Sequence, residues 1–426
     1  MENGMSFEQL AALGISRESY ETVLRLEEGL AEVYKRIGEI ETVNEARVLG
    51  AFIENGVAAR HFSPSTGYGY DDAGRDTLDK VFAGSLLAEA AIVSPQLVSG
   101  THAIFTVLSG LLRPGDVLFS VSGRPYDTLI KAIGMEDAEA CSLAESGVRY
   151  EQVELTERGE FDLAAIEEGL AALHPRVVYF QRSRGYAWRE SLRPAIMGEV
   201  FSLVRKASPE SVIVVDNCYG EFTESVEPTS FGADIIVGSL IKNPGGGLAP
   251  TGGYFAGKRE LVSRLAGRLT VPGIGREAGS YFSSYLPFYQ GLFMAPHTVA
   301  QSLKTGALFA RIFEEKGLET MPASTAARSD IVQSLRFSSK EKLIKFCRLI
   351  QSVSPVDSFA APEPYAMPGY TSEVIMAAGA FVQGSSIELS ADAPIVEPYT
   401  AYLQGGLSLA HGRLAAMRVL TMLNEQ

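Results

Sequence analysis

The chain has 426 residues, 46% of them hydrophobic and 21% charged, an ordinary globular composition with length enough for a large core and two domains. Its formal net charge of -14 argues against non-specific nucleic-acid binding and against docking on an anionic membrane. The three cysteines, Cys141, Cys218 and Cys347, stand far apart without CxxC or CxxH spacing, and the five histidines are scattered, so neither a disulfide framework nor a metal site is expected.

The N-terminus, "MENGMSFEQL", lacks a basic start followed by an apolar core, so no signal peptide is expected. Residues 17–48 carry leucine, isoleucine and valine at helical spacing among charges. They predict one or two amphipathic helices that pack or form an oligomer arm, within a helical segment over 1–60. Residues 61–76, "HFSPSTGYGYDDAGRD", break that pattern with Pro, Gly and aromatic side chains.

From about 74 to 240, short apolar runs alternate with helical ones. Strands are predicted at "AIVSPQLVSG", "DVLFSVS", "RYEQVEL", "VVYFQR", "SVIVVDN" and "DIIVGS". Between them lie helical stretches such as "THAIFTVLSGLL", "DLAAIEEGLAALH" and "IMGEVFSLVRKA". Continuous apolar strands between helices indicate a mostly parallel sheet covered on both faces, in a large α/β domain spanning 61–295. After "TGGYFAGKRELVSRLAG" the pattern turns helical through residue 317, and strands such as "SSIELSA" then mix with helices. That predicts a smaller α+β domain over 296–426. The longest apolar stretches, such as "VIMAAGAFV" at 374–382, are too short to cross a bilayer, and a reducing cytoplasmic setting is the expectation.

Three features fall at the carboxyl ends of predicted strands, where ligands sit in such sheets. In "VSGTHAI", residues 98–104, a strand runs through Ser99, Gly100 and Thr101 into a helix. The free N–H groups of that first turn suit a phosphate. A plain helix cap by Ser99 or Thr101 is the simpler reading of this feature alone. In "VIVVDNCYGEF", four apolar residues deliver Asp216 to a strand end, where a carboxylate needs a donor or a cation. A helix cap or structural ion pair explains it equally well alone. In "DIIVGSLIKNPGGGLAPTGGY", Ser239 lies three positions before Lys242, and Gly245, Gly246, Gly247, Gly252 and Gly253 follow. Neither GxxxxGK[ST] nor GxGxxG is present. A snorkelling lysine beside a flexible loop is the bland alternative.

Taken together, a phosphate-suited turn, a later aspartate at a strand end and a lysine 26 positions beyond it resemble the fold-type I enzymes of pyridoxal 5′-phosphate. The wording "VDNCYGEF", "GSLIKNPGGG", "TGGY" and "QGLFMAP" resembles more narrowly the methionine gamma-lyase-like or aluminium-resistance family, distant relatives of the cystathionine beta/gamma-lyases. The likeness runs from about residue 60 to the C-terminus. It implies a mostly parallel sheet in a three-layer large domain, with a smaller C-terminal domain.

The resemblance also implies roles. Lys242 would hold the cofactor as an internal aldimine, yield it to an amino-acid substrate, and then move protons at Cα. A lysine can do both because a desolvating site lowers its pKa. The glycines after it would let the backbone curve close to the cofactor ring. Asp216 would pair with the pyridine nitrogen, Tyr126 would stack on the ring, and Ser99, Gly100, Thr101 and Ser239 would bind the phosphate. Tyr70 and Arg75, chosen from Tyr68, Tyr70 and Arg75 in "STGYGYDDAGRD", would complete a neighbouring subunit's site, in a homodimer or a dimer of dimers. By its surroundings alone, Arg75 is an exposed helix-start residue paired with Asp71 or Asp72. The small-domain arginine that many such enzymes use for the substrate carboxylate is missing from "GSSIELSADAP". Arg413 comes late, and Arg184 and Arg189 could reach the pocket or lie in a solvated loop. The expected reaction is carbon–sulfur β- or γ-elimination on a sulfur amino acid. Transamination, Cα–Cβ cleavage and a non-catalytic pyridoxal-phosphate-binding role remain open alternatives.

Overall fold

The computed structural model describes residues 7–68, 70–136, 140–279, 281–367, 370 and 372–425. Three helices lead: α1 (Phe7–Ala12), α2 (Arg17–Glu28) and α3 (Ala31–Glu54). Next come α4 (Ala73–Ser85), β1 (Ala90–Ser94), α5 (Gly100–Leu111), β2 (Val117–Ser120), α6 (Asp127–Ile133) and β3 (Arg149–Gln152). They are followed by α7 (Leu163–Leu173), β4 (Val177–Gln181), α8 (Pro194–Ala207), β5 (Val212–Asp216), β6 (Ile235–Ser239), β7 (Gly253–Gly257) and α9 (Arg259–Leu269). The remainder is α10 (Leu286–Glu315), β8 (Thr320–Met321), β9 (Val332–Arg336), α11 (Lys340–Ser352), β10 (Tyr365–Ala366), β11 (Glu373–Ala377), β12 (Ser390–Pro394), β13 (Thr400–Gln404) and α12 (Leu409–Asn424).

The chain divides into two compact units, one of residues 42–296 and one of residues up to Glu41 together with 297–426. Residues 1–60, set apart in the sequence reading, are shared between the two.

The 42–296 unit holds a seven-stranded sheet in the order β1-β7-β6-β5-β4-β2-β3. Strands β3, β2, β4, β5 and β6 run parallel, and β7 runs antiparallel to both β6 and β1. All five residues of each of β4, β5 and β6 are buried, as the continuous apolar runs predict. On one face, Ile104, Val107 and Leu111 of α5 and Val262 and Leu265 of α9 pack with Val177, Val214, Ile235 and Phe255. On the other, Phe201 of α8 meets Phe180 of β4 with ring centroids 4.9 Å apart, and Phe82 of α4 meets Tyr254 of β7 at 6.2 Å. Helices on both faces of a mainly parallel sheet make the expected three layers. The helices start where the sequence supplies caps. Asp72 accepts from the Arg75 N–H, Ser99 from that of His102 and Asp162 from that of Ala165, while Pro194 opens α8.

The second unit carries a six-stranded antiparallel sheet, β10-β11-β12-β13-β9-β8. Here one predicted strand shortens. "SSIELSA" is buried, but only its last two residues belong to β12. Glu388 turns its carboxylate onto the backbone N–H groups of Phe381 and Val382, both at 2.9 Å, which folds that stretch back on its own chain instead of into a ladder. Among the described residues no helix is long and apolar enough to cross a membrane.

Candidate active site

The strand ends gather along one edge of the sheet. Gln181, the last residue of β4, lies opposite Asp216, the last of β5. Ser239, the last of β6, and Ser94, the last of β1, both lie opposite Gly253, the first residue of β7. The loops leaving β1, β4, β5 and β6 therefore open at the same edge.

Gly100 opens α5 with Ser239 and Cys218 beside it; a Cβ there would sit 3.4 Å from Ser239 Cβ and from Cys218 Sγ. The N–H groups of Gly100 and Thr101 donate to no protein atom among the described residues. The Ser99 hydroxyl is committed as the α5 cap, accepting from the His102 N–H at 3.0 Å. The Ser239 hydroxyl is fully buried and has no hydrogen-bond partner. A buried hydroxyl and two free amides aimed around one small space are costly unless an acceptor joins them. A phosphate group fits this donor set. The orphaned Ser239 oxygen marks that fit.

Asp216 is 2% exposed. Its Oδ1 accepts from the Cys218 N–H at 3.1 Å, and the Tyr179 hydroxyl lies 3.5 Å from Oδ2. Burial raises its pKa, and Lys242 opposes that shift. Burial likewise drives the Cys218 thiol and the Tyr126 phenol upward, so both are neutral near pH 7. Lys242 shows the reverse balance. Burial works against its ammonium, but Cys218, Tyr219, Asp216 and Tyr126 outweigh it, and the net direction is well above an ordinary lysine. Of these neighbours Asp216 is the carboxylate. The desolvation expected to lower the Lys242 pKa is thus overridden by the acidic groups around the amine.

Tyr126 caps the start of α6 from the other side. Its N–H donates to Gln181 Oε1 at 2.9 Å, and its hydroxyl donates to Thr101 Oγ1 at 2.9 Å. Thr101 Oγ1 lies 3.1 Å from Thr128 Oγ1. The glycines after Lys242 have a different duty from the one expected. A Cβ on Gly245 would fall 1.6 Å from the Leu240 carbonyl oxygen, and one on Gly291 of α10 would fall 2.3 Å from the Gly245 oxygen. They let the Lys242 turn press against α10 backbone to backbone, which explains the glycine in "QGLFMAP".

Ser99, Gly100, Thr101, Tyr126, Asp216, Ser239 and Lys242 thus meet around one sheet edge. Arg75 does not have the surroundings read for it. It is 1% exposed rather than solvated, and it pairs with Asp76 instead of Asp71 or Asp72, with its Nη1 3.3 Å from the carbonyls of Gly67 and Glu277. Tyr70 is 79% exposed. Arg413 is committed to Glu27 at 2.6 Å and 2.7 Å, and Arg189 donates to the carbonyls of Ser183 and Glu190. Arg184 is buried just past β4.

Sequence reasoning missed a buried network beneath the site. Arg182 bonds Asn217 Oδ1 at 2.8 Å and Thr223 Oγ1 at 3.2 Å, and its Nη1 lies 3.4 Å from Glu227 Oε2. It also missed Glu221, whose carboxylate accepts from the Tyr254 hydroxyl at 2.8 Å. The available signal was position: both Arg182 and Glu221 follow an apolar strand within five residues.

The family model described as methionine gamma-lyase matches residues 19–424. An uncharacterised protein of Bacillus subtilis, YnbB, is 47% identical over 408 residues, covering 95% of this chain and 96% of that protein. A solved structure from Clostridium novyi, named as a carbon–sulfur lyase involved in aluminium resistance, is 45% identical. It superposes with a TM-score of 0.94 over 99% of this chain and 100% of its own. The pyridoxal-5′-phosphate-dependent protein YhfS of Escherichia coli, at 18% identity and a TM-score of 0.60, covers 91% of this chain and 97% of its own and shares the fold.

Proposed function

The chain belongs to the methionine gamma-lyase family, and from that premise we propose that it is a pyridoxal 5′-phosphate-dependent carbon–sulfur lyase acting on a sulfur-containing amino acid by β- or γ-elimination. The observation that carries the reading is the meeting of Lys242, Asp216 and an unpartnered, buried Ser239 hydroxyl at one sheet edge. The name of the C. novyi relative supports the reaction class.

Bound here, the cofactor would supply an aldehyde reactive toward amines and a ring that draws electrons from the carbon bearing the substrate nitrogen. The Gly100 and Thr101 N–H groups and the Ser239 hydroxyl would hold its phosphate. Asp216, buried and held by the Cys218 N–H, would keep a proton on the ring nitrogen. Tyr126, fixed at both its N–H and its hydroxyl, would cover one face. Lys242 Nζ would take the Cα proton in its neutral form and carry it onward as the sulfur departs. One water is consumed, and a thiol, a 2-oxo acid and ammonia are released. Exposed Tyr70 would complete the site of a second copy, whereas Arg75 would act by shaping the loop that carries it.

Borohydride treatment of the cofactor-loaded protein should leave an adduct on Lys242, read by peptide mass spectrometry. Lys242→Ala should abolish the adduct and slow thiol release by at least about 10²-fold. A panel of sulfur amino acids assayed for pyruvate or 2-oxobutyrate then separates β- from γ-elimination. No adduct at 242, or thiol release that survives the substitution, would overturn the proposal.

A further inference from the structure

The loop after β5 holds a tyrosine in a backbone conformation that tyrosines avoid. Tyr219 has a φ of 70°, in the left-handed region, where a side chain crowds its own carbonyl. Such a residue persists only where its surroundings over-determine it. They do here. Gly220 N–H donates to Asn217 O at 2.9 Å, and Thr223 Oγ1 donates to Gly220 O at 2.7 Å. Arg182 ties Asn217 to Thr223 from below. Glu227 takes the Phe222 N–H at 2.9 Å and the Asn217 amide at 2.9 Å. Gly220 lies so close over Arg182 that a Cβ would fall 2.5 Å from its Cδ.

The result of this clamp is a ring placed against a lysine. Lys242 Nζ lies 3.9 Å from the centroid of the Tyr219 ring. Among the described residues the amine makes no hydrogen bond and no ion pair. The acidic groups facing it are Asp216 at the end of β5, Cys218 and Tyr219 in the next loop, and Tyr126 at the start of α6.

We propose that Tyr219 is a positioning residue for Lys242: its ring face is the seat on which the lysine amine rests once a substrate amine has displaced it. The negative face of an aromatic ring attracts an ammonium far more than a neutral amine, at distances up to about 6 Å. The seat therefore favours the protonated lysine, the form that returns a proton during the elimination. It also keeps a long, flexible side chain at a single place from which to transfer it. The proposal rests on Lys242 being the exchanging amine.

The test replaces Tyr219 with phenylalanine and with its mono-, di- and trifluorinated forms, which keep the shape while weakening the ring's negative face stepwise. The pKa of Lys242 is read on the full, cofactor-free chain by competitive acetylation and mass spectrometry of the Lys242 peptide. It should fall stepwise with fluorination, by about half to one unit across the series. In the loaded enzyme kcat should fall along the same series while KM stays within about twofold. Tyr219→Gly, whose backbone suits the left-handed conformation, should fold and lose at least about tenfold in kcat. A Lys242 pKa indifferent to fluorination, or a Tyr219→Gly variant with unchanged kcat, would overturn the proposal. A missing borohydride adduct at Lys242 would instead overturn the functional reading beneath it.

Discussion

Glu221 shows how far a single side chain can be displaced from its ordinary chemistry by position alone. It is fully buried, one oxygen accepts from Tyr254, and the other has no partner. Burial raises its pKa from 4.5 to about 8. The folded chain therefore binds this proton more tightly than the unfolded chain does. The resulting stability is fully present below pH 4.5 and is lost as pH rises through about 8. Glu221→Gln mimics the protonated acid and should flatten that component. In urea unfolding between pH 5 and 9, the wild-type chain should lose stability relative to Glu221→Gln by at most about 1.4 kcal/mol per pH unit. Parallel curves for the two proteins would refute the assignment. Neighbouring Glu227 is equally buried but has both oxygens engaged, Oε2 by Arg182 and Asn217 and Oε1 by the Phe222 N–H.

At the scale of elements, the turn after Lys242 and the start of α10 behave as one piece, because no side chain separates Gly245 from Gly291. Gly245→Ala forces a methyl group against the Leu240 carbonyl and should cost about 1–3 kcal/mol by overpacking. It should also weaken cofactor retention, since the Gly245 N–H bonds the Lys242 carbonyl at 3.2 Å. Gly50→Ala, on an open face of α3 where a Cβ meets nothing within 4 Å, is the control and should stabilise by about 0.5–1 kcal/mol. Thermal melts and the Lys242 adduct yield measure both. The same elements explain what could be read from sequence. Apolar runs ending in a polar residue located β4, β5 and β6, and with them Asp216, Ser239 and Lys242. Those positions depend on local pattern, which a chain displays openly. The φ of Tyr219, the burial of Arg182 beneath Gly220 and the embedding of Arg75 depend on tertiary packing, and no residue-level pattern records them. β7 was obscured for a related reason: in "GGYFAG" glycines at both ends dilute a strand whose five residues are all buried.

For the whole molecule, the unevenness of its surface bears on assembly. Within the 42–296 unit, Ile53, Tyr68, Tyr70 and Phe282 are between 71% and 85% exposed. Two of the segments that carry them are joined, since the Gly279 N–H donates to the Gly67 carbonyl at 2.8 Å. Phe52 and Phe293 likewise bring α3 against α10, with rings 5.9 Å apart. Exposed apolar side chains of this kind suit burial against a second copy. Sedimentation velocity should show a dimer or larger species, and Phe282→Asp should shift it toward monomer with a loss of lyase activity. A wild-type monomer at micromolar concentration would refute this. The antiparallel insertion of β7 has a further consequence, for biogenesis. Among the described residues β1 pairs with β7 alone, so the first strand of this sheet to be translated waits for the last. At a synthesis rate of about 5–20 residues per second, the roughly 160 residues between them take on the order of 10–30 seconds to emerge. Throughout that interval a ribosome-bound chain holds an unzipped β1 apart from its partner strand, so capture of the proposed cofactor at this sheet edge would be a late event in the life of a nascent polypeptide.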